Sequence, residues 1–216
     1  MAIPSLELVL EDARGHVAAV RVWCTDSEVS TSFEAGNLPK RIHRRRVTGP
    51  VVPRLAELRN YYSYFQNLGV NCIYFGPLFE SSSHGYDTVD HYKVDRRLGD
   101  LALLKEVVSE LHDRGIRVLF DGVFNHTGVQ HKAFEHLVTH GPAESEYAGW
   151  YRIGARRTDH TGWVSTKLGN GKTGFAYDCW EGHPKLPRLD LTNPDVKQYI
   201  FQVKPTQLIT IARGGD

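Results

Sequence analysis

Within six residues, Asp121-Gly-Val-Phe-Asn125-His126 gathers a carboxylate, a carboxamide and an imidazole directly after the apolar run Ile116–Phe120. A short continuous apolar run has the pattern of a strand buried on both faces of a parallel sheet. Parallel α/β folds place functional side chains at the C-terminal ends of such strands. Asp121 can then point inward, while Asn125 and His126 offer hydrogen bonds from the following loop. Position alone leaves a second reading open, a capping Asp/Asn turn with a surface histidine. A second cluster, Ser81-Ser-Ser-His84-Gly85-Tyr86-Asp87-Thr88-Val89-Asp90-His91-Tyr92, follows an earlier apolar run, Asn71–Phe75. Alone it is a polar loop with an aromatic plug. If the two runs pair in parallel, both clusters share one rim, and together they have what a sugar needs: rings to stack on and partners for hydroxyls.

The elements that must position these groups are legible in the apolar spacing. Leu55, Leu58, Tyr62, Phe65 and Leu68 recur at helical intervals, and Gly69 stands where a helix-ending glycine belongs. Asp100 can cap a second helix with the apolar stripe Leu101, Leu104, Val107, Val108 and Leu111, closed by Gly115. Strand, loop, helix, strand is a βαβ unit, whose hand is right and whose strands are parallel. The spacing therefore predicts strands over 71–75 and 116–120, bridged by a helix near 101–113. From Thr127 to Leu191 periodicity fades in a stretch rich in Gly, His, Tyr and Trp. That is too long for a connection and reads as an inserted subdomain. Thr192-Asn193-Pro194 then opens a helix through Val196, Tyr199, Ile200 and Val203, which Pro205 ends. Upstream, Ser5–Leu10 and Val17–Trp23 alternate as the strands of a hairpin around Asp12-Ala-Arg-Gly15.

Composition excludes several classes. A chain of 216 residues with 41% hydrophobic and 24% charged residues is globular rather than disordered, and is short for a complete eight-stranded βα barrel of ~250 residues. A net charge of +1 gives no global field toward nucleic acid or an anionic membrane. The basic stretch Lys40-Arg-Ile-His-Arg-Arg-Arg46 has no interleaved aromatic residue and reads as a solvated loop rather than a nucleic-acid patch. Cys24, Cys72 and Cys179 form no paired framework, the expectation being free thiols in a reducing compartment. The start of the chain has no basic region followed by an apolar core, and no apolar run approaches eighteen residues. A soluble, cytoplasmic protein with neither nucleic acid nor membrane as a partner is expected.

Taken in order, Leu68-Gly-Val-Asn-Cys-Ile-Tyr-Phe-Gly-Pro-Leu-Phe79, His84-Gly-Tyr-Asp-Thr-Val-Asp-His-Tyr92, Asp121-Gly-Val-Phe-Asn-His126, Gly174-Phe-Ala-Tyr177 and Leu186-Pro-Arg-Leu-Asp190-Leu-Thr-Asn-Pro194 resemble the motifs of the α-amylase superfamily, glycoside hydrolase family thirteen. The likeness is greatest to its cyclomaltodextrinase, neopullulanase and maltogenic amylase branch, and covers roughly residues 55–203. It implies an α/β fold, a partial (β/α)8 TIM barrel holding the second and third strands with their helices, plus an inserted domain B. It also implies retaining cleavage of α-1,4 or α-1,6 glucosidic bonds, with an α-glucan or maltooligosaccharide as substrate. By the resemblance Tyr86 stacks under the glucose ring whose bond is cut, His126 hydrogen-bonds that sugar's hydroxymethyl group, and Asp121 is mainly architectural. Asp87 orients its loop, and Asn125 ties the barrel to domain B with Asp190 sharing that task. No cofactor is required; calcium is left open, with Asn125 and Asp190 as its ligands. Full-length relatives are implied to dimerise.

The sequence departs from the family at its ends. The nucleophile's Gly-x-Arg-x-Asp motif at the fourth strand and the general-acid Glu at the fifth are absent. The tail Ala212-Arg-Gly-Gly-Asp216 has the wrong Arg-to-Asp spacing and no strand leading into it. The aromatic stretch of the first barrel strand is missing from residues 25–60, and the 1–24 hairpin reads as a remnant of an accessory β-domain. Residues 25–54 are expected to be a linker, 55–126 and 192–203 a partial barrel, 127–191 the domain B-like insertion, and 204–216 an aberrant tail. The expectation is a truncated chain without nucleophile or general acid. The alternative is a non-catalytic glucan-binding fragment or pseudoenzyme.

Overall fold

The computed structural model describes residues 6–10, 18–22, 53–154, 163–165 and 174–203. In chain order they form β1 (Leu6–Leu10), β2 (Ala18–Val22), a 310 helix Arg54–Tyr61 leading into α1 (Tyr62–Asn67), β3 (Cys72–Phe75), β4 (Phe79–Ser81), β5 (Thr88–Val94), α2 (Leu101–His112) and β6 (Arg117–Phe120). There follow α3 (Lys132–His140), a 310 turn Ala148–Trp150, β7 (Ile153–Gly154), β8 (Trp163–Ser165), β9 (Ala176–Asp178), a 310 turn Trp180–Gly182 and α4 (Pro194–Val203). The basic stretch 40–46, the 25–52 part of the expected linker, Cys24 and the tail 204–216 lie outside the described residues. Among the described residues, no helix is long and apolar enough to cross a membrane.

The βαβ unit forms where the spacing placed it. Asp100 accepts a hydrogen bond from the Leu103 amide at 2.8 Å, supplying an acceptor to the open first turn of α2. Two matched caps end the helices. Gly69 (φ +70°) and Gly115 (φ +72°) adopt the left-handed conformation that glycine takes without strain. Their amides donate to Gln66 and His112, while the amides of Val70 and Ile116 reach back to Phe65 and Leu111. Each motif turns the chain directly into the next strand and buries an apolar pair at the turn. The expected helix over 55–68 begins instead as 310 structure. Pro53, at its N-cap, offers no side-chain acceptor, and tight 310 turns are common at helix starts.

β3 and β6 pair in parallel, Cys72 opposite Arg117 and Phe75 opposite Phe120. Beneath them Ile73, Phe75, Val118, Leu104, Val107, Val108, Leu111, Leu58 and Phe65 form one core. Two sequence expectations change here. The N-terminal hairpin does not stand apart as a separate unit: β2 pairs with β1 on one edge and, in parallel, with β3 on the other, Ala19 opposite Cys72 and Val22 opposite Phe75. The sheet order is thus β1-β2-β3-β6. Burial on both faces holds for β3 but not for β6, where Val118 is covered and Leu119 is 55% exposed, because no element among the described residues packs on its second face.

The stretch between β3 and α2, expected as loop, contains the antiparallel pair β4–β5. The region 127–191 has its own core with α4: Phe134, Leu137, Trp150, Tyr151, Tyr177, Leu189, Val196 and Tyr199 cluster together, and Phe134 meets Tyr151 and Tyr177 edge-on at 5.0 and 4.9 Å. A three-stranded sheet, β7-β9-β8, belongs to this region. Asn193 caps α4 by accepting from the Asp195 amide at 2.8 Å, and its amide group donates to the Gly149 carbonyl at 2.7 Å, fastening the helix to the 310 turn Ala148–Trp150.

Candidate functional site

Tyr86 projects from a loop whose shape is fixed by buried carboxylates. Asp87, itself buried, accepts from the Ser83 hydroxyl at 2.5 Å and the His84 amide at 3.1 Å. Behind the loop, Gly128 donates its amide to the Thr88 carbonyl at 2.8 Å, and a Cβ there would stand 2.6 Å from the Asp87 carbonyl oxygen. Only glycine allows the two backbones to approach so closely. The loop is further anchored by an ion pair, Asp95 with Arg97, at 0% and 8% exposure.

So held, the Tyr86 hydroxyl donates to Asp121 Oδ2 at 3.2 Å. His126 Nε2 lies 3.1 Å from the Tyr86 carbonyl oxygen. A carbonyl only accepts, so Nε2 bears the proton and Nδ1 presents a lone pair toward the Asn125 carboxamide nitrogen at 3.4 Å. Burial pushes His126 down to about 4, against the Tyr86 carbonyl, which favours its charged form, and with help from the neighbouring His84, His91 and Arg188. The imidazole is neutral at physiological pH. The three residues singled out in the sequence, Tyr86, Asp121 and His126, therefore form one hydrogen-bonded group at the exits of adjacent parallel strands. His126 is 5% exposed, and its Nε2 bond to the Tyr86 carbonyl holds the loop.

The segment after β9 closes against this group. Leu189 donates to the Asn125 carbonyl at 3.0 Å and Thr127 to that of Pro187 at 3.0 Å, and His126 bridges Arg188 antiparallel. Asn125 thus joins the β6 exit to the segment after β9 through its backbone. This pairing delivers Trp180, which the sequence reading missed: its ring centroid lies 5.7 Å from that of His126, and it is 38% exposed. Nothing in its neighbourhood repeats or spaces, so the only sequence signal was a large aromatic residue beside Gly182 and Pro184.

Asp190 lies next to that pairing, but its carboxylate accepts from the Thr192 hydroxyl at 2.6 Å and the Thr192 amide at 3.0 Å. Those bonds hold it below the usual carboxylate range. Among the described residues, no three His, Cys, Asp or Glu side chains converge as a metal site. Asp190 serves the turn into α4.

Behind the rim runs a buried relay. His91 Nε2 donates to the Val123 carbonyl at 2.9 Å, which leaves its Nδ1 to accept from the Tyr199 hydroxyl at 3.0 Å. Tyr199 accepts in turn from His131 Nε2 at 3.0 Å, and His131 Nδ1 caps α3 at the Ala133 amide, 3.3 Å away. Both histidines must be neutral for every donor to find an acceptor. The relay joins β5, the β6 exit, α3 and α4.

The comparisons agree with this arrangement. The family model for the α-amylase catalytic domain matches residues 55–209. A cyclomaltodextrinase from a Bacillus species is 35% identical over 144 residues, 66% of this chain and 24% of that protein. Neopullulanase 2 of Thermoactinomyces vulgaris is 37% identical over 144 residues, 65% of this chain and 22% of that protein. The solved structure of a cyclic α-maltosyl-(1→6)-maltose hydrolase from Arthrobacter globiformis aligns with a TM-score of 0.57 at 30% identity, covering 69% of this chain and 31% of its own. A debranching enzyme from Nostoc punctiforme gives 0.56 at 36% identity, covering 68% and 28%. The chain spans about a quarter of the length of the curated relatives it matches. With strand exits, motif order and family model in agreement over the same residues, the chain belongs to the α-amylase family of glycoside hydrolases and carries part of its catalytic domain.

Proposed function

We propose that this chain supplies part of the substrate-holding rim of an α-glucan-acting glycoside hydrolase, whose full-length form cleaves α-1,4 or α-1,6 glucosidic bonds with retention. The observation that carries the reading is the Tyr86–Asp121–His126 group. Tyr86 offers a ring face to a glucosyl unit, Asp121 fixes that ring through its hydroxyl, and neutral His126 fixes the backbone that bears it. Domain B of the family corresponds in this reading to residues 127–191, packed around Phe134 and Tyr177. Relatives named for cyclomaltodextrin, pullulan and cyclic maltosyl-maltose support an α-glucan as substrate. The free, buried thiol of Cys72 accords with a cytoplasmic location, as does the relative named intracellular maltogenic amylase in Bacillus subtilis.

Retention needs two carboxyl groups ~5–5.5 Å apart, one as acid and one as nucleophile. We assign no such pair to these 216 residues, which favours a second reading, glucan binding without cleavage, for the chain by itself. Reducing-sugar release from maltoheptaose and β-cyclodextrin by purified chain, free of host amylases, separates the two. No release is expected. Release that Tyr86→Ala abolishes would show that the chain holds its own acid and nucleophile.

A further inference from the structure

We infer that Trp180 and His183 form a second sugar-stacking surface of this site, holding the glucosyl unit next to the one over Tyr86 and so setting the preferred length of the glucan. The inference rests on the function proposed above. Trp180 sits at the tip of a short hairpin: Cys179 pairs with Pro187, the Trp180 amide donates to the Leu186 carbonyl at 3.0 Å, and the Leu186 amide donates to that of His183 at 3.0 Å. Cys179 and Leu186 are buried and anchor the hairpin's base. Between the two rings Glu181 takes φ +47°, the one positive φ on a non-glycine among the described residues. A conformation of that kind is strained and persists only where its surroundings fix it. Here it turns the His183 ring back onto Trp180, with centroids 5.6 Å apart and planes 21° from parallel.

Trp180 does not rest in an apolar core. Among the described residues its ring contacts are two histidines, and more than a third of it faces solvent. One of those histidines is His126, which is bonded to the backbone of Tyr86. The aromatic surface is therefore continuous with the loop of Tyr86, and an indole with an open surface is the side chain that best receives the C–H face of a pyranose. An α-glucan brings its second ring beside the first, so the ligand class is a maltooligosaccharide of more than one unit.

NMR titration of the 216-residue chain with glucose, maltose, maltotriose and maltohexaose tests this, using wild type, Trp180→Ala and Trp180→Phe. Wild-type affinity is expected to rise with length. Trp180→Ala should remove that rise, roughly tenfold for the longer sugars, at a near-unchanged glucose affinity, and Trp180→Phe should keep most of it. Wild type that binds, with Trp180→Ala equal to it at every length or weakened equally at every length, overturns the second surface alone. Wild type that binds none of the four overturns the proposed function and this inference with it.

Discussion

Asp95→Ala is expected to lower the unfolding free energy by about 3–5 kcal/mol, the usual cost of leaving one charge of a buried pair without its partner. Asp95 is fully buried and accepts from the Ser81 hydroxyl at 2.9 Å, the Ser81 amide at 3.2 Å, the Arg97 amide at 3.0 Å and Arg97 Nε at 2.7 Å. Arg97 in turn donates to the carbonyls of Ser81 and Ser83 at 2.8 and 2.9 Å. Removing the carboxylate strands the guanidinium against carbonyl dipoles alone and frees both ends of the Tyr86 loop. For a domain whose total stability is about 5–15 kcal/mol, the loss is a large share of the whole. The double variant Asp95→Leu/Arg97→Met should recover much of it, since exchanging both charges for apolar groups of similar volume is far milder than removing one. Urea unfolding reads both effects. A single variant within 1 kcal/mol of wild type would mean that the pair is solvated and does not hold the loop.

The second large effect is acid sensitivity. Burial pushes His131 down to about 3, with His91 and Lys132 adding to it and Asp90 opposing, and burial lowers His91 as well. A free histidine titrates near 6.5. Below that pH the unfolded chain takes up protons that the folded relay refuses, so stability is full above 6.5, falls as pH drops, and levels off only near 3 for His131. Between pH 7.5 and 5.0, His131 by itself should remove about 2 kcal/mol, and His91 acts in the same direction. Wild type and His131→Gln, unfolded in urea at both pH values, give the answer. The variant should lose markedly less on acidification, even though it starts weaker for want of the Tyr199 bond. Equal losses would place the titrating groups elsewhere and the His91–Tyr199–His131 relay in contact with water.

These two devices sit in segments that the sequence left nearly blank, and the reason is physical. Local rules wrote the βαβ unit: Asp100 needs only Leu103, Gly115 only His112 and Leu111, and an apolar run such as Cys72–Phe75 is buried whatever its neighbours are. The Tyr86, Asp121 and His126 grouping followed because parallel strands bring their exits together. Pairing across distance was another matter. Nothing in Ala18–Val22 specifies Cys72–Phe75 as its parallel neighbour rather than a strand of another domain, and the two are fifty residues apart. α3 was hidden although Ala133, Phe134 and Leu137 are spaced for it, because His131, His136 and His140 break the polar–apolar contrast and its cap is a histidine nitrogen, an uncommon choice. Trp180 and the relay became visible only with the segments after β6 and β9 folded against the rim. Buried histidines and an exposed indole look alike in a sequence.

Saturation-transfer NMR of maltotetraose with wild type, Tyr86→Phe and Tyr86→Ala tests most directly whether Tyr86 is a sugar platform. Wild type should saturate the ring protons of a glucosyl unit. Tyr86→Phe, which keeps the ring and loses only the hydroxyl bonded to Asp121, should retain the greater part of that signal, and Tyr86→Ala should lose it. Signals of equal strength and pattern from all three proteins, or none from wild type, would contradict the assignment of this rim as a glucan site.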